Sequence, residues 1–305
     1  MCLREYRSLS RKIVFSSIPS PSSGSLNLGP LALRGYGLMI ALGVLAAVWL
    51  MSKRFSDRSL SPDHAAGIAM WGVPAGIVGA RIYHVITDWG RFSGNWGDAF
   101  KIWKGGLGIL GGVILGYMAA TLYCKRANLD LRTAMDVVAP SIPLAQMIGR
   151  WGNWFNQELY GRPTDLPWAL EIDPENRPTK HIEEATFHPT FLYESLWNLL
   201  VVLALLKIDR MKKLSRGMLF IVYFALYSIG RLWVEALRID EATKLAGLRI
   251  NIWVFSCVLL LSLGAIIKVE WKRERTEEIE TGSPQNSSSV QSQIEEERSG
   301  PSINP

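Results

Sequence analysis

Apolar stretches long enough to cross a bilayer recur along the chain, separated by short polar segments. A helix needs about 20 mostly apolar residues to span the hydrocarbon core. Stretches that reach or approach this length occupy residues 34–52, 65–87, 107–124, 133–150, 189–207, 216–235 and 251–268. The pattern predicts an all-α, polytopic membrane protein with about seven transmembrane helices.

Basic residues between the predicted spans indicate how the chain is oriented. Lys and Arg follow the first, third and seventh spans and separate the fifth from the sixth. Because these residues accumulate in cytoplasmic loops, we expect the N-terminus outside and the C-terminus in the cytoplasm. Four basic residues near the start of the chain run against this orientation: Arg4, Arg7, Arg11 and Lys12.

The two ends of the chain differ from the part between them. Residues 1–16 lack the apolar core and cleavage site of a signal peptide and are interpreted as an N-terminal extension. After residue 270 the chain becomes charged and then polar. Such a segment buries too little apolar surface to offset its conformational entropy, so 271–305 is predicted to be a disordered cytoplasmic tail. The seven-span domain therefore occupies 17–270.

Composition agrees with a membrane protein and excludes some functions. Hydrophobic residues make up 49% of the chain, which contains 12 Trp. The net charge of +6 is explained by basic cytoplasmic loops, so no nucleic-acid partner is expected. The cysteines Cys2, Cys124 and Cys257 show neither the spacing of a disulfide framework nor that of a zinc site.

One short stretch, IGRWGNWFNQELYG at Ile148–Gly161, places several polar residues at the membrane boundary. Gln146, Arg150 and Asn153 are spaced i, i+4 and i+7, which puts them on one face of a helix. A charge at bilayer depth costs roughly 2.5–3.5 kcal/mol on insertion scales. Such residues therefore tend to face the interior of a helix bundle, where they can meet a polar substrate.

A second arginine lies near the end of the sixth predicted span. Arg231, Glu235 and Arg238 share one helix face by the same spacing. Arg231 and Glu235 can form an ion pair that merely neutralises both charges, or Glu235 can orient Arg231 to grip a phosphate; the two are compatible. Glu194, in the apolar fifth span, also requires a partner, for which an arginine is the obvious candidate. Together these residues predict a cationic pocket for a lipid headgroup.

Two other patterns are assigned structural roles. Gly106–Gly111 formally matches GxGxxG, but no buried strand precedes it and the helix that follows is long enough to cross a membrane. Close approach between two helices explains these glycines better. Arg81 in the second span is predicted to form a structural ion pair with Asp136.

The chain resembles the prolipoprotein diacylglyceryl transferases. The matching motifs occur in family order and cover roughly residues 17–270: RGYGLM, GARIYHVITDW, WKGGLGILGG, IGRWGNWFNQELYGRP, HPTFLYES and GRLWVEALR. The fourth motif is highly specific, whereas the others are weak alone. The resemblance implies an integral enzyme of the bacterial cell membrane whose site faces the extracytoplasmic leaflet.

Enzymes of this family move the diacylglyceryl group of phosphatidylglycerol to the lipobox cysteine of a prolipoprotein and release glycerol phosphate. The expected partners are therefore phosphatidylglycerol, prolipoprotein signal peptides and membrane lipid, and no metal or organic cofactor is required. By motif position the resemblance implies catalytic roles for Arg231, Glu235 and Tyr36. It likewise implies that phosphatidylglycerol is bound by three residues: Arg150, Asn153 and Gly161.

The chain departs from the family at one position. Many members carry a histidine before the second Gly-Gly pair, where it has been favoured as the base, and this chain has Leu110 there. His84, His188 and Glu235 are possible substitutes, and a thiol with a pKa near 8.5 is already partly thiolate at neutral pH. Two alternatives stay open: an inactive lipid-binding homologue, and a transporter of anionic solutes, for which the expected internal repeats are not apparent.

Overall fold

A computed structural model of the protein describes residues 17–21, 23–28, 31–92, 94–102 and 105–281, which are mostly helical. The extension predicted at 1–16 and the tail beyond Thr281 lie outside the described residues. The helices of the described part are α1 Gly35–Ser56, α2 Asp63–Thr87, α3 Trp89–Phe92, α4 Ile109–Arg126, α5 Leu131–Val138, α6 Ser141–Gly149, α7 Trp151–Asn156, α8 Thr190–Arg210, α9 Met218–Leu237 and α10 Ile250–Thr281.

Five of the helices in these ranges are long and apolar enough to cross a membrane: α1, α2, α8, α9 and α10. α4 is shorter, with 18 residues, and its last turn carries Lys125 and Arg126. The described chain therefore has the helix content of a polytopic membrane protein. The number of crossings stays a prediction. A count of seven requires that α4 and the segment α5–α7 also cross the membrane, in addition to the five long helices.

The predicted fourth span is interrupted rather than being one helix over 133–150. α5 ends at Val138 and α6 begins at Ser141, with Pro140 preceding Ser141. Proline removes a backbone donor and clashes with the preceding turn, so it ends or kinks a helix. α6 passes directly into α7 through Arg150, whose backbone is helical with φ −62° and ψ −25°. α6, Arg150 and α7 therefore form one continuous helical stretch of the chain that leads to the site.

Within the described residues, three short antiparallel strand pairs accompany the helices, so the all-α prediction is corrected to a mostly helical fold. The turn of the last hairpin consists of Ala246 and Gly247, which have positive φ values of 50° and 80°. Such values suit the tight turns that join antiparallel strands. The paired strands are β1 Ser25–Leu28 with β2 Leu31–Arg34, β3 Leu170–Glu171 with β4 Thr186–Phe187, and β5 Lys244–Leu245 with β6 Leu248–Arg249.

α2 and α4 pack against each other along facing glycines. A Cβ atom added at Gly111 would lie less than 3.0 Å from the carbonyl oxygen of Gly79, and the converse also holds. Gly76 and Gly112 face each other one turn further along. Small residues allow this backbone approach between helices in a membrane. The prediction of close approach between helices is therefore confirmed for Gly111, the last glycine of the GxGxxG match.

Arg81 and Asp136 do not form the predicted ion pair. The Asp136 carboxylate accepts the backbone N–H groups of Gly217 and Leu219 at 2.8 and 3.1 Å. The Arg81 guanidinium instead holds the connection between α2 and α4. Similar predicted depth gave no information about the direction in which each side chain points. The carbonyl oxygens that accept from Arg81 belong to Asp98, Ala99, Gly105 and Gly106.

α10 continues to Thr281, whereas the last span was predicted to end at 268 and disorder to begin at 271. The Lys, Arg and Glu residues of this stretch are good helix formers. Glu270 also ties the helix to the connection between α8 and α9, because its carboxylate accepts the backbone N–H of Ser215 at 2.9 Å. Helix propensity and this contact extend α10 beyond its apolar part.

The long connection between α7 and α8 has its own buried core. Tyr160, Leu170, Ile172, Phe187 and Phe191 pack together and are at most 7% exposed. α7 is followed by the capping residue Gln157, whose backbone is left-handed with φ 49° and ψ 48°. The Gln157 side chain donates to Asp173 at 2.6 Å and so fastens the connection to the end of α7. The polar residues of the NQELYG motif, at 156–161, thus fix this compact segment beside the ends of the helices.

Candidate active site

The two arginines predicted to form a cationic pocket meet at one carboxylate. Oε2 of Glu194 accepts a hydrogen bond from Nη1 of Arg231 at 2.9 Å and forms an ion pair with Nη2 of Arg150, which is 2.8 Å away. The Glu194 and Arg231 side chains are 5% and 8% exposed, whereas that of Arg150 is 20% exposed. The prediction that Glu194 pairs with an arginine is confirmed. Arg150 is the more accessible of the two cations.

Glu235 holds the other side of Arg231. Its Oε2 accepts from Nη2 of Arg231 at 2.7 Å, and its Oε1 accepts from Nε of Arg249 at 2.7 Å and Nδ2 of Asn251 at 3.0 Å. The predicted ion pair is confirmed, and it also fixes the direction of the Arg231 guanidinium. Because Glu235 is completely buried and both its oxygens accept from cations or amides, it is poorly suited to take a proton from a thiol.

Arg238 lies just beyond the helix but stays on the predicted side, with its Nη1 3.9 Å from Oε2 of Glu235. α9 ends at Leu237, and Arg238 has an extended backbone with φ −70° and ψ 144°. Its guanidinium turns to Asp240, with contacts of 2.7 and 2.9 Å. Burial opposes ionisation of Asp240, but hydrogen bonds and charges from Arg238 and Arg249 hold the pKa of its carboxyl below the ordinary value. This pair therefore stays ionised at neutral pH.

Asn153 supports Arg150 from behind. Nη1 of Arg150 lies 3.4 Å from Oδ1 of Asn153, and Nδ2 of Asn153 donates to Glu158 at 2.9 Å. Asn153 is only 4% exposed. Its contacts therefore favour a role in orienting Arg150 over a role in direct contact with lipid. Gln146, expected on the same face, instead donates to the hydroxyl of Tyr223 at 3.1 Å.

Tyr36 and Gly161 flank this cluster at different places. The Tyr36 ring packs on Gly152, where an added Cβ would lie 2.6 Å from Cδ2 of the ring, and the residue is 37% exposed. The Gly161 N–H donates to the carbonyl of His188 at 2.9 Å, and an added Cβ would lie 3.2 Å from the Leu237 carbonyl oxygen. Gly161 thus joins the α7–α8 connection to the end of α9.

Leu110, at the position of the family histidine, and the two candidate bases His84 and His188 lie in separate surroundings. Leu110 is on α4 and is 55% exposed. His84 packs against Gly106 and lies 3.8 Å from Asp88. Nδ1 of His188 is 3.1 Å from the Tyr193 hydroxyl. Burial, followed by the charge of Arg162, lowers the pKa of His188, so this imidazole is neutral at neutral pH.

Arg249 and Asn251 were not predicted as parts of the site, whereas Glu158 was predicted within the polar stretch at the membrane boundary. Arg249 closes the network, because its Nη2 also binds Asp240 at 3.0 Å. It lies in the last hairpin, 14 residues after Glu235, a separation that no helical spacing indicates. The signal available for Glu158 was its place in the specific motif beside Asn153.

The fold and the site define a polytopic membrane protein in which buried carboxylates hold several arginines at the ends of the helices. The chain belongs to the prolipoprotein diacylglyceryl transferase family, whose family model matches residues 24–269. It is therefore a transferase of this family.

Relatives with the name phosphatidylglycerol–prolipoprotein diacylglyceryl transferase are similar over most of the chain. The protein from Frankia alni is 51% identical over 260 residues, which cover 84% of this chain and 68% of the relative. The protein from Streptomyces griseus is 48% identical over 86% of this chain and 80% of its own length. The protein from Bifidobacterium adolescentis is 43% identical over 85% and 82%.

Proposed function

We propose that the protein transfers the diacylglyceryl group of phosphatidylglycerol to the lipobox cysteine of prolipoproteins, the first step of bacterial lipoprotein maturation. The convergence of Arg150 and Arg231 on one buried oxygen of Glu194 carries this proposal. Guanidinium groups bind phosphate in a planar, bidentate manner. The substrate named by the relatives has an anionic phosphate in its headgroup, which is the chemistry that two converging arginines recognise.

The reaction balances as a displacement at carbon. The cysteine thiolate attacks the glyceryl carbon that carries the phosphate, a C–S bond forms, and the C–O bond breaks with its electron pair going to the phosphate oxygen. Released glycerol phosphate has a second pKa near 6, so the thiol proton ends in solvent. Preorganised cations stabilise the charge that develops on the leaving oxygen. Arg150 and Arg231 supply that stabilisation.

The residues divide the work according to their contacts. Arg231 acts on the leaving phosphate, and Glu235 keeps its fork in position. Arg150 binds the phosphate of phosphatidylglycerol, and Asn153 orients Arg150. Tyr36, half-exposed beside α7, offers a hydroxyl to the substrate.

Gly161 contributes to lipid binding indirectly. A side chain there would approach His188 and Leu237 and push the α7–α8 connection away from α9. The smallest residue is therefore needed where the connection closes over the helix ends.

The protein crosses the bacterial cell membrane seven times in this proposal, with residues 17–270 as the transferase domain, the N-terminus outside and the C-terminus in the cytoplasm. Basic residues support this orientation. The last turns of α1 and α8 carry Lys53, Arg54, Lys207 and Arg210, whereas Glu194 lies near the start of α8 and Glu235 near the end of α9. The site then faces the extracytoplasmic leaflet, where a signal peptide presents its lipobox.

A lipid-binding protein without transferase activity is the second candidate. Its specific support is Leu110, which cannot accept a proton where many family members have histidine. Such a protein would bind phosphatidylglycerol through the same arginines and release no glycerol phosphate.

The deciding experiment measures glycerol phosphate release from headgroup-labelled phosphatidylglycerol by the purified protein. The lipobox peptide is supplied with its cysteine or with serine in its place. We expect release only with cysteine. Lipid binding without release would overturn the transferase proposal and leave the inactive binder.

A matched pair of arginine variants tests the site itself. Arg150→Ala should lower release by a factor on the order of 100 or more, since it removes a preorganised cation. Arg91→Ala changes a side chain that is 74% exposed and should retain full activity. Equal activity in the two variants would contradict the assignment of Arg150.

A further inference from the structure

A solvent-open cavity of about 1060 Å³ lies beyond the end of α9. Its walls come from the turn at Thr179–His181, the residues that follow α9, and the hairpin β5–β6. Arg249 lines it, and the fully buried Glu235 stands in the wall behind Arg249. Glu235 also holds Arg231, so it connects the wall of the cavity to the arginine site.

The charged groups around this cavity fall into two sets. Arg238 and Arg249 are paired with Asp240 and Glu235, so these side chains form a neutralised inner wall. The outer set consists of exposed side chains that have no ion-pair partner within the described ranges: Lys180, Lys244 and Glu241. Two ammonium groups thus face one carboxylate, which leaves an excess of available positive charge at the mouth.

The proposed reaction releases an anion that must reach water. In a displacement at carbon, the leaving group departs on the side opposite to the attacking sulfur. The signal peptide is apolar and presents its thiol from the membrane, so the phosphate departs toward the polar end of the bundle. From Arg231 the ion pairs continue through Glu235 to Arg249 and Arg238, and Lys180 and Lys244 lie at the mouth of the cavity.

We propose that this cavity binds the released glycerol phosphate on its way to water, with Lys180 and Lys244 as the recognition cations. The ligand class is a small phosphate monoester that carries hydroxyl groups. The paired arginines give the inner wall polar N–H edges, and the lysines attract the dianion as point charges. This inference rests on the proposed function, because that reaction supplies the ligand.

Binding of glycerol phosphate to the full-length protein in detergent tests the inference directly, with glycerol as the uncharged control. The double variant Lys180→Gln/Lys244→Gln should bind about fivefold more weakly, as expected for two exposed charge contacts. Glu241→Gln should bind about twofold more tightly, because it removes the opposing charge. Lys207→Gln, in the last turn of α8, is the matched lysine control and should bind as the wild type does.

Inhibition of transfer by added glycerol phosphate gives a second readout, which should weaken by the same factor in the double variant. An unchanged affinity in the double variant would overturn the inference, as would binding that only Arg150→Ala reduces. Absence of cysteine-dependent release by the wild type would instead overturn the proposed function. The direct titration still shows whether the lysines of the cavity bind glycerol phosphate. Failure of the inference and failure of the proposed function are therefore distinguishable.

Discussion

Replacement of Glu194 by alanine removes the carboxylate that holds Arg150 and Arg231 together. A charge-assisted hydrogen bond with Arg231 at 2.9 Å and an ion pair with Arg150 at 2.8 Å are lost at a site that is 5% exposed. Hydrogen bonds to charged groups contribute about 1.5–3 kcal/mol each. Loss of one member of a buried ion pair destabilises a protein by roughly 3–5 kcal/mol, because the remaining charge stays buried.

The surroundings place the expected effect at the lower end of that range. Arg231 keeps its contact with Glu235 at 2.7 Å, and Arg150 is partly accessible to solvent. We therefore expect Glu194→Ala to lower the free energy of unfolding by about 3 kcal/mol. The thermal midpoint should fall by roughly 5–10 °C. Glu194→Gln, which keeps one oxygen acceptor, should have an intermediate midpoint.

Lipid dependence separates this account from a general packing defect. Without the carboxylate, the phosphate of phosphatidylglycerol becomes the best available partner for both arginines, and a ligand that binds only the folded state stabilises it. Thermal midpoints in an uncharged detergent, with and without phosphatidylglycerol, should show a larger gain from lipid in Glu194→Ala than in the wild type. Glu183→Ala, an exposed carboxylate, is the control and should change stability by less than about 0.5 kcal/mol. An equal gain in both proteins would refute the reasoning.

Three further predictions concern other parts of the molecule. Gly111→Val should destabilise the protein by about 1–3 kcal/mol through overpacking against Gly79, as measured by thermal unfolding. Because the pKa of His188 is lowered from 6.5, its neutral form stabilises the fold fully above about pH 6.5, and this contribution is lost as the pH falls through the folded pKa. His188→Gln should therefore reduce the loss of thermal stability between pH 7.5 and pH 5. A chain cut after Thr281 should retain wild-type glycerol phosphate release.

Each of these predictions has a contrary outcome. Gly264→Val is the control for Gly111, since Gly264 lies in α10 and an added Cβ meets nothing within 4 Å; equal destabilisation would contradict the packing argument. A pH profile that is unchanged by His188→Gln would show that this residue is not the titrating group. An inactive truncated chain would show that residues 282–305 contribute to function.

The sequence was sufficient for the long helices because their apolar length is a strong signal. The spans predicted at 34–52 and 65–87 correspond to α1 and α2, and those at 189–207 and 216–235 to α8 and α9. Apolar length failed to predict the helix boundaries where a local backbone effect overrides hydropathy. Pro140 interrupts a run that is apolar on both sides.

The site was predictable as a set of residue types but not as a network. Helical spacing correctly paired Arg231 with Glu235, and the need to neutralise a buried charge correctly predicted an arginine for Glu194. The same spacing correctly placed Arg238 beside Glu235, but it gave no sign that α9 ends one residue earlier and that the Arg238 guanidinium also binds Asp240. Arg249 could not be found by spacing, since the hairpin turn at Ala246 and Gly247 brings it back to Glu235. Long-range contacts of this kind depend on the turn rather than on a repeating pattern.

The charges of the site alternate along a continuous path. From its accessible end the order is Arg150, Glu194, Arg231, Glu235, Arg249, Asp240 and Arg238. Glu194 and Asp240 each contact two guanidinium groups and Glu235 contacts three, and these contacts offset the cost of burying the charges. Four cations against three anions leave one positive charge, and the most exposed arginine stands at the end of the path. A lipid phosphate at Arg150 would supply the fourth anion and continue the alternation, which is the arrangement that the proposed function requires for an anionic headgroup.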